Sequence, residues 1–245
     1  MTDKILTLKN IQKSFGKNII HRDINFELAE NESLGLLGNS GTGKSVLLRS
    51  IIGLERIDQG GIFFRNRRID NLSEEELFPV RTKISYAFQY GALFDSMTVY
   101  ENLAYPLRAH TKLKEPEIKI KIEEALKLVD LAGKENLMPS DLSGGMQKRV
   151  GLARSIILKP DIILYDEPTA GLDPVNVENV VQIMKRLKAE GNSSIFVTHD
   201  IQAALEVCDR IIIIGQGIVL FEGTPAEMKE SNDPVVQNFF IMEKK

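Results

Sequence analysis

Along the first eighty or so positions, apolar residues fall in short runs separated by turn signals. "ILTLKNI", "INFEL", "SLGLLG" and "GIFFRN" each have the length of a strand, and several follow one another too closely for helical crossovers. The pattern predicts strands in a sheet of mixed type. A helix is predicted from about Gly43 through "KSVLLRSIIGL", with a further strand at "ISYAFQ".

From about Asp95 to Pro160 the periodicity turns helical. In "EIKIKIEEALKLVDLAG", Ile118, Ile122, Leu126 and Val129 share one face, and Gly133 supplies a stop signal. This stretch predicts a helical lobe inserted into a sheet domain. After it, "DIILYDEP", "NVENVVQIMKRLKAEG", "SSIFVTHD", "IQAALEVC" and "RIIIIG" alternate strand and helix, the rhythm of a parallel sheet. "IILY" and "IIII" are continuously apolar, as expected of central strands covered on both faces. "DPVVQNFFIMEKK" predicts a short final helix. The reading is one α/β domain, with residues 1–94 and 161–245 forming the sheet core and 95–160 the helical subdomain.

Composition narrows the function classes. The chain has 245 residues, 43% hydrophobic and 27% charged, ordinary values for a globular domain. A formal net charge of −3 lacks the basic excess of a nucleic-acid binder, so no nucleic-acid partner is expected. Cys208 is the only cysteine, which excludes an intrachain disulfide and predicts a small buried residue. The opening "MTDKILTLKN" lacks the apolar centre of a signal peptide, and the longest apolar runs fall short of the roughly 18 residues of a membrane span. The expectation is a cytoplasmic protein that reaches a membrane only through a partner.

"GNSGTGKS" carries the first piece of chemistry: Gly38, Asn39, Ser40, Gly41, Thr42, Gly43, Lys44 and Ser45. The spacing G-x-x-x-x-G-K-S, after a predicted strand and at the start of a predicted helix, is that of a P-loop. Its glycines let backbone N–H groups close around phosphates, and the helix N-terminus adds a favourable field. Lys44 would reach the β- and γ-phosphates of ATP, and Ser45 would ligate Mg2+. Asp166 closes a buried strand, where it can hold the metal through water; Glu167 follows at the carboxyl edge of the sheet, where it can orient and deprotonate an attacking water. Two adjacent acids signal little alone. Beside a P-loop they supply its catalytic half.

"DLSGGMQKRVGLARS", Asp141 to Ser155, is a second helix start with a serine and two glycines. With it the chain resembles the ATP-binding subunits of ABC transporters over nearly its whole length. "LSGGM" is similar to that family's signature, "AGLD" to its D-loop and "VTHD" to its switch-histidine motif, while Gln89 in "AFQYG" stands at the Q-loop position. The resemblance implies a P-loop NTPase fold of ABC type and a head-to-tail dimer with a second copy of the chain. Each ATP would then lie between one P-loop and the opposite signature, in reach of Ser143, Gly144, Gly145 and Met146. It further implies γ-phosphate sensing by His199, a metal contact for Gln89, a place for Val46 beside the nucleotide, and a link between the two sites through Asp173.

Phe15 in "KSFG" resembles the aromatic residue that stacks on adenine; the competing reading is a core phenylalanine at a strand end. Lys148, Arg149 and Arg154 read as solvated or lobe-packing charges, and His21 and His110 as surface residues. Leu93, Phe94 and Met97 either receive a helix of a membrane permease or pack the lobe.

Within the family, "GTGKSVLL", "QYGALFDSMTVYENLAYPLR" and "LSGGMQKRVGLARSI" are similar to the Mla-type phospholipid transport ATPases. Those work with an integral permease and an MCE-domain lipid-binding protein between the inner and outer membranes. The resemblance therefore implies a place on the cytoplasmic face of the inner membrane, with any C-terminal extension absent or abbreviated. The rival readings are the ATPase of a small-solute importer and a soluble, non-transport ABC scaffold.

Overall fold

The structure, a computed structural model, describes residues 3–242. It opens with a long hairpin, β1 (Lys4–Phe15) and β2 (Asn18–Ala29), turned at Gly16 with φ +59°. β3 (Ser33–Leu37) then leads into α1 (Lys44–Ile51), β4 (Gln59–Phe64), the two-residue β5 (Arg67–Arg68), α2 (Glu74–Arg81) and β6 (Ile84–Ala87). Next come α3 (Val99–His110), α4 (Glu115–Leu128) and α5 (Gly144–Ile156), with no strand among the described residues between 95 and 160. The chain continues through β7 (Ile162–Asp166), α6 (Pro174–Ala189), β8 (Ser193–Val197), α7 (Ile201–Val207), β9 (Arg210–Gly215) and β10 (Ile218–Gly223). It closes with α8 (Pro225–Glu230) and α9 (Pro234–Met242). Residues 243–245 of the predicted final helix lie outside the described residues.

One ten-stranded sheet runs in the order β5-β4-β1-β2-β10-β9-β3-β8-β7-β6. The sheet is mixed, as the strand spacing predicts: β1 pairs antiparallel with β2 and β4, while β9, β3, β8, β7 and β6 are parallel neighbours. β3 lies between β8 and β9, so the strand that delivers the glycine loop is central and covered on both faces. Alternate residues serve opposite layers: Ile211 and Ile213 pack with α3–α7, Ile212 and Ile214 with α1 and the β1–β2 hairpin.

Helix starts follow their caps. Thr98 and Glu101 form a reciprocal capping box that begins α3. The α4 stop differs from the predicted one. Ile118, Ile122 and Leu126 line its buried face, but the helix ends at Leu128, before Gly133. Asp130 takes a left-handed φ of +56° there and the Leu131 amide returns to the Leu126 carbonyl at 2.8 Å. A short polar side chain tolerates that conformation, so no glycine is needed. Cys208 is buried, as expected, and desolvation pushes its thiol pKa up, which makes it an unreactive packing residue.

Candidate active site

β3 runs straight into the glycine loop, and the loop into α1. Gly43 caps the helix with φ +88°, and a Cβ there would lie 2.3 Å from Ile20 Cγ2 and 2.6 Å from His21 Nε2. Both the backbone conformation and the close approach of β2 require glycine. Thr42 folds back through its hydroxyl, which donates to the Asn39 carbonyl at 2.9 Å. The Lys44 side chain crosses the loop, donating to the carbonyls of Gly38 at 2.7 Å and Asn39 at 3.1 Å. Burial pushes the Lys44 pKa down, and the charges of Glu167 and Asp166 work against that shift.

Residues from four distant segments meet at the loop. The Ser45 hydroxyl donates to Asp166 Oδ1 at 2.7 Å, and the Tyr86 hydroxyl donates to Asp166 Oδ2 at 2.5 Å. Glu167 is one residue on, with its amide still paired to the Val197 carbonyl at 2.9 Å but with a left-handed φ of +50°. That conformation is uncommon for a residue with a Cβ and is held here by the surrounding sheet, as happens at functional sites. It turns the chain out of the strand at the point where Glu167 Oε2 meets His199 Nδ1 at 2.9 Å.

Ser40, Gly41, Gly43, Lys44, Ser45, Val46 and Glu167 line one cavity of about 260 Å3. A second, of about 520 Å3, joins Gly38, Asn39 and Ser40 to His199. The predicted loop residues other than Thr42, the predicted base Glu167 and the predicted switch residue His199 thus line two cavities that share Ser40. A cleft of about 420 Å3 between α4, the end of α5 and the end of α6 contains none of them.

The signature stands apart. Ser143 caps α5, its hydroxyl accepting from the Met146 amide at 3.3 Å, and it is exposed together with Gly144. A Cβ on Gly144 would meet open space, whereas one on Gly145 would lie 2.9 Å from Asn176 Cγ. The two glycines thus differ in role: Gly144 leaves an open surface, and Gly145 lets α5 pack on the start of α6. Met146 is half-buried against the core. Asp173 caps α6 through the amides of Val175 and Asn176, and the Asn176 side chain holds its carboxyl below the usual range.

Gln89 lies just beyond β6 and half-buried; none of the described hydrogen bonds brings it to Ser45 or Asp166. Phe15 is 48% exposed, which rules out the core reading. Phe94 is exposed and meets Tyr105 edge-on at 5.3 Å, while Leu93 packs on the core. Arg149 bonds the Val129 carbonyl within the lobe, whereas Lys148 and Arg154 reach across to the sheet domain, bonding the carbonyls of Ala170 and Ala92.

Two histidines correct the sequence reading. His21 is fully buried beneath Gly43, and His110 is half-buried, stacked on Phe78 at 4.4 Å. Neither ring nitrogen of His21 makes a well-formed hydrogen bond. Burial lowers its pKa; the Gly43 backbone lies near enough to oppose that shift, and the Lys13 charge adds to it. Tyr86 and Lys13 are functional candidates that the sequence reading missed. Tyr86 lies 80 positions from the carboxylate it contacts, and no local motif announces it.

A glycine loop between a central parallel strand and a helix, joined by a serine–aspartate pair and a carboxylate at the next strand's end, defines a P-loop nucleotide-binding protein. The protein-family model described as "ABC transporter" matches residues 21–170. The chain is similar to the "Intermembrane phospholipid transport system ATP-binding protein MlaF" of Haemophilus influenzae, 38% identical over 240 residues, covering 98% of this chain and 91% of that protein. It is 42% identical over 235 residues to the "Probable ribonucleotide transport ATP-binding protein mkl" of Mycobacterium leprae, covering 96% of this chain and 68% of that protein. Among solved structures, the ATP-binding cassette MJ0796, dimeric and bound to ADP and Pi in a post-hydrolysis state, superposes with a TM-score of 0.83. It is 33% identical, and the match covers 90% of this chain and 98% of that one. The chain belongs to the ABC transporter family.

Proposed function

We propose that the chain is the ATP-hydrolysing subunit of an ABC transporter that energises phospholipid movement between the inner and outer membranes through a partner permease. The hydrolytic part rests on one observation above all: Glu167, bonded to His199, shares a cavity with Lys44 and Ser45. Ser45 and Asp166 offer hard oxygen donors on adjoining elements, which suits Mg2+ and not a soft metal. When bound, Mg2+ would offset charge on the phosphate oxygens. The glycine-loop amides and Lys44 bind and orient the triphosphate, Glu167 accepts the proton of the attacking water at its carboxylate, and His199 orients that carboxylate.

The exposed serine and glycine at the α5 N-terminus line neither cavity of the glycine loop. That supports a head-to-tail dimer in which Ser143 and Gly144 complete the site of a second copy, with Asp173 near the junction. In this reading residues 95–160 form the lobe that receives the permease. No described helix is long and apolar enough to cross a membrane; in this reading the permease supplies the span and the chain lies peripherally on its cytoplasmic face.

The cargo is read from the phospholipid-transport relative, whose length this chain nearly covers. The mycobacterial relative's name favours a second reading, ribonucleotide transport, and this chain spans about two thirds of it. Affinity purification from detergent-solubilised membranes separates them. A small permease with an MCE-domain protein supports lipid transport, and a solute-binding protein overturns it. For the dimer, Ser143→Arg should abolish hydrolysis while leaving nucleotide affinity of the isolated subunit intact; loss of that affinity would mean that Ser143 acts on its own subunit's nucleotide.

A further inference from the structure

The exposed ring of Phe15 sits on a buried cation. Lys13 and Phe15 are two residues apart on β1 and share a face. Lys13 Nζ lies 4.6 Å from the Phe15 ring centroid. The lysine is only 7% exposed, whereas the ring is 48% exposed, so the ring's open side is the one away from the ammonium. The charge is fully engaged below. Lys13 Nζ pairs with Glu55 Oε1 at 2.7 Å and donates to the Arg56 carbonyl at 2.7 Å.

The same loop grips the strand through its backbone. Ser14 N donates to Asp58 Oδ2 at 2.7 Å, and Asp58 N donates to the Gln12 carbonyl at 2.8 Å. That loop leaves the C-terminal end of α1, the helix that the glycine loop begins. The strand end carrying Phe15 is therefore tied to the phosphate-binding helix, and Lys13 is the tie that touches the ring.

A lysine is rarely buried this far unless its charge is met on every side. Here two sides are met by oxygen and the third by an aromatic face. A cation on one face of a ring draws π density toward itself. The far face is left electron-poor, which favours stacking with an electron-rich purine. The ammonium also props the ring outward; without it, the phenyl group can fold down over the apolar stem of the strand end.

We propose that Lys13 is a positioning and specificity residue of the nucleotide site, holding and polarising Phe15 as a platform for a purine base. The inference rests on reading the site as an ATP site with Phe15 beneath the base, and its test separates the two. The measurement is the affinity, with Mg2+, for ATP and for inorganic tripolyphosphate, which has the same phosphate chain and no base. Lys13→Met and the neutral donor variant Lys13→Gln should each cut the preference for ATP over tripolyphosphate by about fivefold to thirtyfold. Tripolyphosphate affinity should hold, and Lys13→Arg, which keeps the cation, should restore the preference. Equal weakening of both ligands would make Lys13 merely structural and overturn the proposal. If Phe15→Ala removes the preference while both neutral Lys13 variants keep it, Lys13 is not its source. If Phe15→Ala itself keeps the preference, the platform reading fails first.

Discussion

His199 Nδ1 and Glu167 Oε2 lie 2.9 Å apart, joining the ends of two neighbouring parallel strands, β8 and β7. The histidine side chain is largely exposed and the glutamate largely covered, so the imidazole is the movable member of the pair. Glu167→Gln should keep nucleotide binding and lose hydrolysis by about a hundredfold or more. His199→Ala, which frees the carboxylate to misorient, should cost less, about tenfold. If the two act as one unit, the double variant will be no slower than Glu167→Gln alone. Steady-state ATPase rates for the three proteins decide it; additive losses would mean independent roles.

Asp166 accepts from Ser45 on one oxygen and from Tyr86 on the other. Burial and the neighbouring carboxylate push the Tyr86 pKa far up, so its hydroxyl stays a neutral donor at any working pH. Its task is to aim the carboxylate. Tyr86→Phe should therefore raise the Mg2+ concentration for half-maximal ATPase several-fold and leave the rate at saturating Mg2+ nearly unchanged. A Mg2+ titration of activity checks this, and an unshifted midpoint would show that Ser45 alone orients Asp166. Asp166→Asn, which weakens the proposed metal site itself, should fail at all Mg2+ concentrations.

The adjacent glycines of the signature should respond differently to one methyl group. At Gly144 the added Cβ meets nothing, so Gly144→Ala should fold with an unchanged melting temperature and lose ATPase activity by blocking the second copy's phosphate. At Gly145 it lies 2.9 Å from the Asn176 amide carbon, so that side chain must turn away and give up its bond to Asp173, which costs about 1 kcal/mol. Gly145→Ala should therefore melt earlier. Thermal unfolding beside ATPase assays separates the two effects; equal melting of both variants would contradict the packing difference.

The loop Gly38–Ser45, the pair Asp166–Glu167 and the start of α5 are legible in the sequence because each is a contiguous segment whose spacing carries its geometry. The parallel strands are legible because "IILY" and "IIII" are apolar without alternation. Contacts between remote segments are not. Tyr86 meets Asp166 across a strand pair, and Lys13 reaches the loop after α1; neither leaves a local pattern. His21 was misplaced for a more specific reason. β2 shifts register between His21, opposite Lys13, and Ile24, opposite Ile11, so an odd and an even position both point inward. Alternation fails across such a shift, and a histidine that strict pairing with Ile24 would turn outward lies under Gly43.

Lys148 supplies the last test, because it ties α5, proposed to complete a second copy's site, to the turn that carries the proposed base Glu167. Its Nζ donates to the Ala170 carbonyl, and Ala170 N in turn donates to the Glu167 carbonyl at 3.2 Å. Burial lowers the lysine's pKa and the Glu167 charge opposes that shift, so the pair are electrostatic neighbours as well. The bond joins α5, which Ser143 begins, to the turn that carries Glu167. Lys148→Met removes this link without touching the glycine loop. Hydrolysis should slow about tenfold with nucleotide affinity unchanged, and Lys148→Arg should recover part of the rate, since a longer cation can still reach the carbonyl. Rate and affinity measured on the same preparations give the answer: a fall in affinity with an intact rate would place Lys148 in binding and remove the link.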